Sequence, residues 1–166
     1  MRSTRALWNS PVVLAYLLWE FASGYRDKAE SSLPITWVFP ALGILSQRQL
    51  CDAIPLRCAT LAQYAGSSLD RTQQLGFLRN LGERIRINRN LYCESMILAF
   101  SYELINIDFA TGTIAPVALS DMDKRIVKAT NFRETVGRKA RTLGRLFANE
   151  KDRPATVCRI LGVYFK

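Results

Sequence analysis

Ile105-Asn106-Ile107-Asp108-Phe109-Ala110-Thr111-Gly112-Thr113-Ile114-Ala115-Pro116-Val117 decides the fold class, because here the apolar period changes from helical to alternating. Ile105, Ile107 and Phe109 alternate with Asn106 and Asp108, Thr111-Gly112-Thr113 carries turn chemistry, and Ile114–Val117 runs back. The pattern predicts a β-hairpin. Pro116 lacks an amide hydrogen and should place the return strand at a sheet edge. Just before it, Asn90–Glu103 reads as a helix entered from an Asn88 or Asn90 cap. Leu91, Ser95, Leu98 and Tyr102 share one of its faces, flanked by Cys93, Met96 and Ile97. Helices followed by a two-stranded ribbon are the order of a winged-helix unit. The expectation is an α+β chain, mostly α-helical, with a winged-helix-like core, the hairpin as wing and a basic amphipathic C-terminal helix.

Upstream, Asn9-Ser10-Pro11 signals a helix start, a capping side chain followed by proline in the first turn. Val13, Leu14, Leu17, Leu18 and Phe21 then make a helical stripe that Tyr16 and Trp19 widen, and Gly24 is a plausible stop. Leu33–Leu45 is too apolar to face water, so it is either core or a contact surface for another subunit. It should be extended before Pro40 and helical after it. A short helix is expected over 57–65 and a further helix over Leu69–Arg84, separated by Gly66-Ser67-Ser68.

Downstream, a helix should start at Ser120-Asp121. Phe132, Val136, Ala140, Leu143 and Phe147 fall within an arc of about 80° on a helix. Arg138, Arg141 and Arg145 lie on the opposite side, and Gly137 and Gly144 sit between the faces, where another backbone could approach closely. Asp152-Arg153-Pro154 opens a last short helix that Gly162 ends. The organisation is one domain, 1–166: a helix and apolar segment over 1–50, helices plus hairpin over 57–118, and basic helices over 119–166.

The chain has 166 residues, 49% apolar and 22% charged, which is globular composition with length enough for a core. Its formal charge of +9, from 23 basic and 14 acidic residues, is uneven. Residues 1–69 hold six basic against four acidic side chains, 70–118 five against five, and 119–166 twelve against five. The excess near the C-terminus suggests a phosphate backbone or an acidic partner, or else a solvated face. With no histidine, Ser-His-Asp, Cys-His and His-bearing metal sites are ruled out. Nucleotide-binding glycine loops are also missing, so any nucleotide would be bound by another chain. Cys51, Cys58, Cys93 and Cys158 read as reduced thiols of a cytosolic protein, not as a zinc or redox site. The N-terminal apolar run is broken by Asn9 and Pro11 and lacks a cleavage site. The uncharged stretch Ser31–Gln47 is shorter than the about 20 residues of a span and contains two prolines. A cytoplasmic protein without membrane contact, metal or cofactor is expected.

The candidate binding residues fall into two sets. Arg138, Lys139, Arg141 and Arg145, with Arg84, Arg86 and Arg89 as a second cluster, could meet nucleic acid or an acidic partner. Neighbouring guanidinium groups repel unless something anionic lies opposite. Tyr16, Trp19, Tyr25, Trp37 and Phe39 are core by default, but their density in the first quarter of the chain also fits an interface. No set of residues points to catalysis.

Asn9-x-Pro11-x-x-x-Ala15-x-Leu17-Leu18-Trp19-x-Phe21-x-x-Gly24-Tyr25 resembles the opening helix of the middle components of three-component ABC systems. The apolar segment 33–45, the helix ending in Leu98–Leu104, the hairpin, Gly144-Arg145-Leu146-Phe147-Ala148 and Ile160-Leu161-Gly162-Val163 extend the resemblance over nearly the whole chain. Lamassu-type antiphage and antiplasmid defence belongs to this group. The resemblance implies a non-catalytic accessory subunit. Its partners would be an SMC-like ABC ATPase that senses foreign DNA and an effector, often a nuclease; double-stranded DNA as a further contact is suggested by the basic charge, not by the resemblance. A free-standing winged-helix DNA-binding regulator is the alternative reading, and a histidine-free enzyme a third.

Overall fold

The computed structural model describes residues 9–56, 60–66, 80–119 and 133–163. Helix α1, Pro11–Ala29, is the central element. Proline at its first position suits a site where no amide hydrogen is needed. The cap is Ser10 in an extended conformation, and its hydroxyl makes no capping hydrogen bond. From Leu14 to Tyr25 only Tyr16 is less than fully buried, because neighbours cover the helix on several sides. The helix does not stop at Gly24. It continues for another turn and a half and ends where Glu30 adopts a left-handed conformation, its amide bonded to the Arg26 carbonyl.

The apolar segment is core. Strand β1, Leu33–Pro34, leads through a 3-10 turn at Ile35–Trp37 into α2, Val38–Leu45. Helix begins two residues before Pro40, which lies in the first turn, where proline is tolerated. Short helices α3, Arg48–Asp52, and α4, Leu61–Gly66, follow. Of the helix expected over Leu69–Arg84, only α5, Leu81–Ile87, lies within the described residues. The helix expected from Ser120 and the position of Phe132 lie outside them.

Helix α6, Arg89–Ser101, packs on α1. Its inner face is Tyr92, Ser95 and Ala99, and the Ser95 hydroxyl donates to the Leu91 carbonyl at 2.7 Å. The face is rotated from the expected one: Leu91 and Leu98 flank it, while Ile97 and Tyr102 are exposed. Small residues at 95 and 99 are fully buried on this face, where bulky side chains would need more room.

The hairpin forms as its alternation dictates, with β2 at Ile105–Asp108 and β3 at Thr113–Pro116, antiparallel. Gly112 takes φ 64 at the turn. The Asp108 carboxylate accepts the amides of Ala110 and Thr111 at 2.9 and 3.3 Å. The return strand is not an edge. β1 pairs with it, Leu33 opposite Ile114, so the sheet order is β1-β3-β2. Pro116 is compatible with the central strand because β1 is too short to reach it. The carbonyl of Pro116 accepts instead from Arg26 Nη1 at 2.8 Å.

A π-helical turn at Arg133–Gly137 leads into α7, Arg138–Ala148, and α8, Pro154–Leu161, ends at Gly162 with φ 64. Helix α7 lies along α1, and with the turn before it buries Val136, Ala140, Leu143 and Phe147 as their spacing requires. Phe147 meets Phe21 edge-on at 5.2 Å and Trp37 at 5.6 Å, and Trp37 meets Tyr25 at 5.6 Å. These T-shaped contacts tie α1, the apolar segment and α7 into one core. The architecture is α+β, mostly helical, with one small antiparallel sheet among the described residues.

Candidate partner-binding surfaces

The arginines of α7 have unequal environments. Arg141 turns back onto α1. Its Nη1 lies 3.3 Å from Glu20 Oε2, and its Nε and Nη2 donate to Asp27 Oδ2 at 3.1 and 3.0 Å. Glu20 is only 2% exposed and also accepts from the Tyr16 hydroxyl at 2.8 Å. A buried carboxylate stays in a core only when hydrogen-bonded and paired, and Arg141 supplies much of that pairing. Arg145 reaches the same Asp27 at 3.7 Å. The anion that the arginine row calls for is thus partly internal: Glu20 and Asp27 on α1 balance Arg141 and Arg145.

Lys139 is tied to α3, donating to the Asp52 carboxylate at 2.9 Å and to the Asp52 carbonyl at 3.2 Å. Arg138 is exposed and has no acidic partner among the described residues. The free cationic surface of α7 is therefore Arg138 and the outer edge of Arg145.

The second basic cluster divides similarly. Arg86 forms a two-pronged bond with Glu83, at 2.6 and 3.0 Å, which holds the Glu83 carboxyl below its ordinary range. Arg84 is half-buried and Arg89 exposed, at the start of α6. Helix α7 carries no acidic side chain, so no ion pair can join this cluster to it.

The aromatic set lies inward. Trp19, Tyr25 and Trp37 are buried, and Tyr16 and Phe39 half-buried against the same core. Their density in the first quarter of the chain follows from α1 being enclosed, so packing accounts for the three buried side chains. Trp19 also works as a tether, its Nε1 donating to the Val117 carbonyl at 2.9 Å. Burial raises the Tyr25 hydroxyl pKa, against a smaller opposing effect from a hydrogen bond to Ser31.

Cys51 is buried, and burial lifts its thiol from an ordinary 9.0 to about 12. Such a thiol is inert at neutral pH. Cys93 and Cys158 are free and half-buried, and Cys58 lies outside the described residues. Among the described residues no cluster of Cys, Asp or Glu could hold a metal ion, and no helix is long and apolar enough to cross a membrane.

An exposed apolar group extends from α6 to the hairpin turn. Ile97, Phe100, Tyr102 and Phe109 are 60%, 49%, 65% and 81% exposed, so Tyr102 does not share a buried face with Ser95 and Ile97 flanks none. The available signal was the small-residue pair Ser95 and Ala99, which marks where a neighbouring helix comes closest.

The described residues thus combine a basic helix clamped to α1 with exposed apolar side chains on α6 and at the hairpin turn. The chain matches, over residues 2–165, the family model described as ABC-three component (ABC-3C) system Middle Component 3, and it belongs to that family. No curated protein and no solved structure matches it.

Proposed function

We propose that the chain is a non-catalytic accessory subunit that joins the ATPase of its ABC-3C system to the effector. The observation that carries this reading is membership, over nearly the full chain, in a family of middle components. A middle component of a three-component system implies protein partners. The finer reading is that these are an SMC-like ABC ATPase and an effector such as a nuclease, acting in the cytoplasm in Lamassu-type defence against phage and plasmids. Binding alone can do this work, by shifting the balance between a restraining and a releasing assembly.

The exposed cations Arg138 and Arg145, with Arg86 and Arg89, are the proposed contacts for DNA or an acidic surface. Lys139, Arg141 and Arg84 would act mainly by holding the body that presents them. Co-expression of the tagged chain with the other two components, followed by pull-down and mass measurement, tests the reading. Stable recovery of at least one component is expected. Recovery of neither, or turnover of a substrate by the isolated chain, would overturn it.

A second reading keeps the protein as a free-standing winged-helix DNA-binding regulator. It is favoured by the order helix, β1, helices, hairpin and by the strand order β1-β3-β2. Under it, the chain alone should bind duplex DNA, and reversing Arg138 and Arg145 to Glu should weaken binding and flatten its salt dependence.

A further inference from the structure

The outward face of α6 differs in character from the rest of the molecule. Asn90, Cys93, Glu94, Ile97, Phe100 and Ser101 lie within an arc of about 120° opposite the buried Tyr92–Ser95–Ala99 face. Ile97 and Phe100, one turn apart, are its exposed apolar centre. The chain then turns through exposed Tyr102 and Glu103, the latter at φ 55, with its amide bonded to the Phe100 carbonyl. In a protein with 23 basic residues, none occurs from Asn90 to Asp123, so α6 beyond Arg89 and the whole hairpin carry only negative charge.

We infer that this face docks an amphipathic helix of a partner protein whose apolar stripe is flanked by Lys or Arg. The inference rests on the accessory-subunit reading and specifies one of its contacts. Ile97 and Phe100 at helical spacing fit the apolar anchors of helix-on-helix recognition, and Glu94 and Glu103 beside them select basic flanks. Nucleic acid is disfavoured, since phosphate contacts need cations and this face has none. A second copy packed symmetrically is disfavoured too, because an isologous contact would bring Glu94 and Glu103 of one copy towards those of the other.

The test uses the full chain, tagged and co-expressed with the other two components of its system. Ile97→Gln/Phe100→Gln keeps helix-forming residues at exposed positions, so its melting temperature should match wild type. Recovery of the bound component should fall about tenfold or more, as for loss of central interface anchors. Glu94→Lys/Glu103→Lys should also lower recovery and remove the sensitivity of the complex to added salt. Undiminished recovery by Ile97→Gln/Phe100→Gln overturns the docking face while leaving the accessory-subunit reading standing. If the wild-type chain recovers neither component, both fall. A wild-type dimer that this variant turns into a monomer, or binding to short duplex DNA that it abolishes, would replace the proposed occupant and overturn the inference.

Discussion

Gly24 and Gly144 face each other where α1 and α7 cross. A Cβ at Gly144 would overlap the Phe21 carbonyl oxygen and lie 2.7 Å from the Tyr25 nitrogen, and one at Gly24 would overlap the Arg141 carbonyl, 2.9 Å from its Cα. The two backbones are in direct contact. This is why glycine persists in the middle of α1 despite its helix cost of about 1 kcal/mol relative to alanine.

Gly24→Ala and Gly144→Ala should each destabilise the fold by about 3 kcal/mol, because the obstructing atoms are backbone and cannot rotate away. Urea unfolding measures this. Gly66→Ala is the control: nothing lies within 4 Å of its added carbon, and the change should be neutral or mildly stabilising.

Arg141→Ala should cost about 2 kcal/mol, discounted for the partial exposure of the arginine, since it strips Glu20 and Asp27 of their shared partner. A double-mutant cycle with Glu20→Gln should show coupling, because the two side chains touch. Arg138→Ala should stay within about 0.5 kcal/mol.

Trp19→Phe keeps the ring in the core and removes its bond to the Val117 carbonyl. A loss of about 1 kcal/mol is expected. Amide exchange around 113–117 should accelerate more than exchange in α7, which would place the effect at the sheet.

Cys51 gives a pH signature. A thiol raised from 9.0 to about 12 contributes stability that is whole below pH 9 and is lost as pH rises towards about 12, because the unfolded chain ionises first. Alkaline unfolding should therefore begin earlier in wild type than the same scan of Cys51→Ala shows, once its cavity cost is subtracted. Under native conditions at neutral pH, a thiol reagent should modify Cys93 and Cys158 before Cys51.

The local patterns were legible to the extent that they depend on short-range physics. Alternation at 105–108 and the turn at Thr111–Thr113 specify a hairpin because strand side chains alternate across a sheet, whereas Phe109 lies in the turn and is exposed. The spacing of Val136, Ala140, Leu143 and Phe147 specifies which side of α7 faces inward, and Gly144 could be read as a point of close approach. The Pro154 start and Gly162 stop of α8 follow from backbone rules that need no distant partner.

What tertiary structure alone decided is who meets whom across the chain. Gly24 reads locally as a stop, yet α1 runs on because packing against α7 outweighs one glycine's helix penalty. Pro116 reads locally as an edge residue, yet β3 is central because a two-residue strand from far upstream pairs with it, ending short of Pro116. Arg138, Arg141 and Arg145 look alike as a row, and only the fold places Glu20 and Asp27 beneath two of them. Periodicity constrains each element's own faces, whereas pairing between elements depends on shape and charge brought together from positions more than a hundred residues apart.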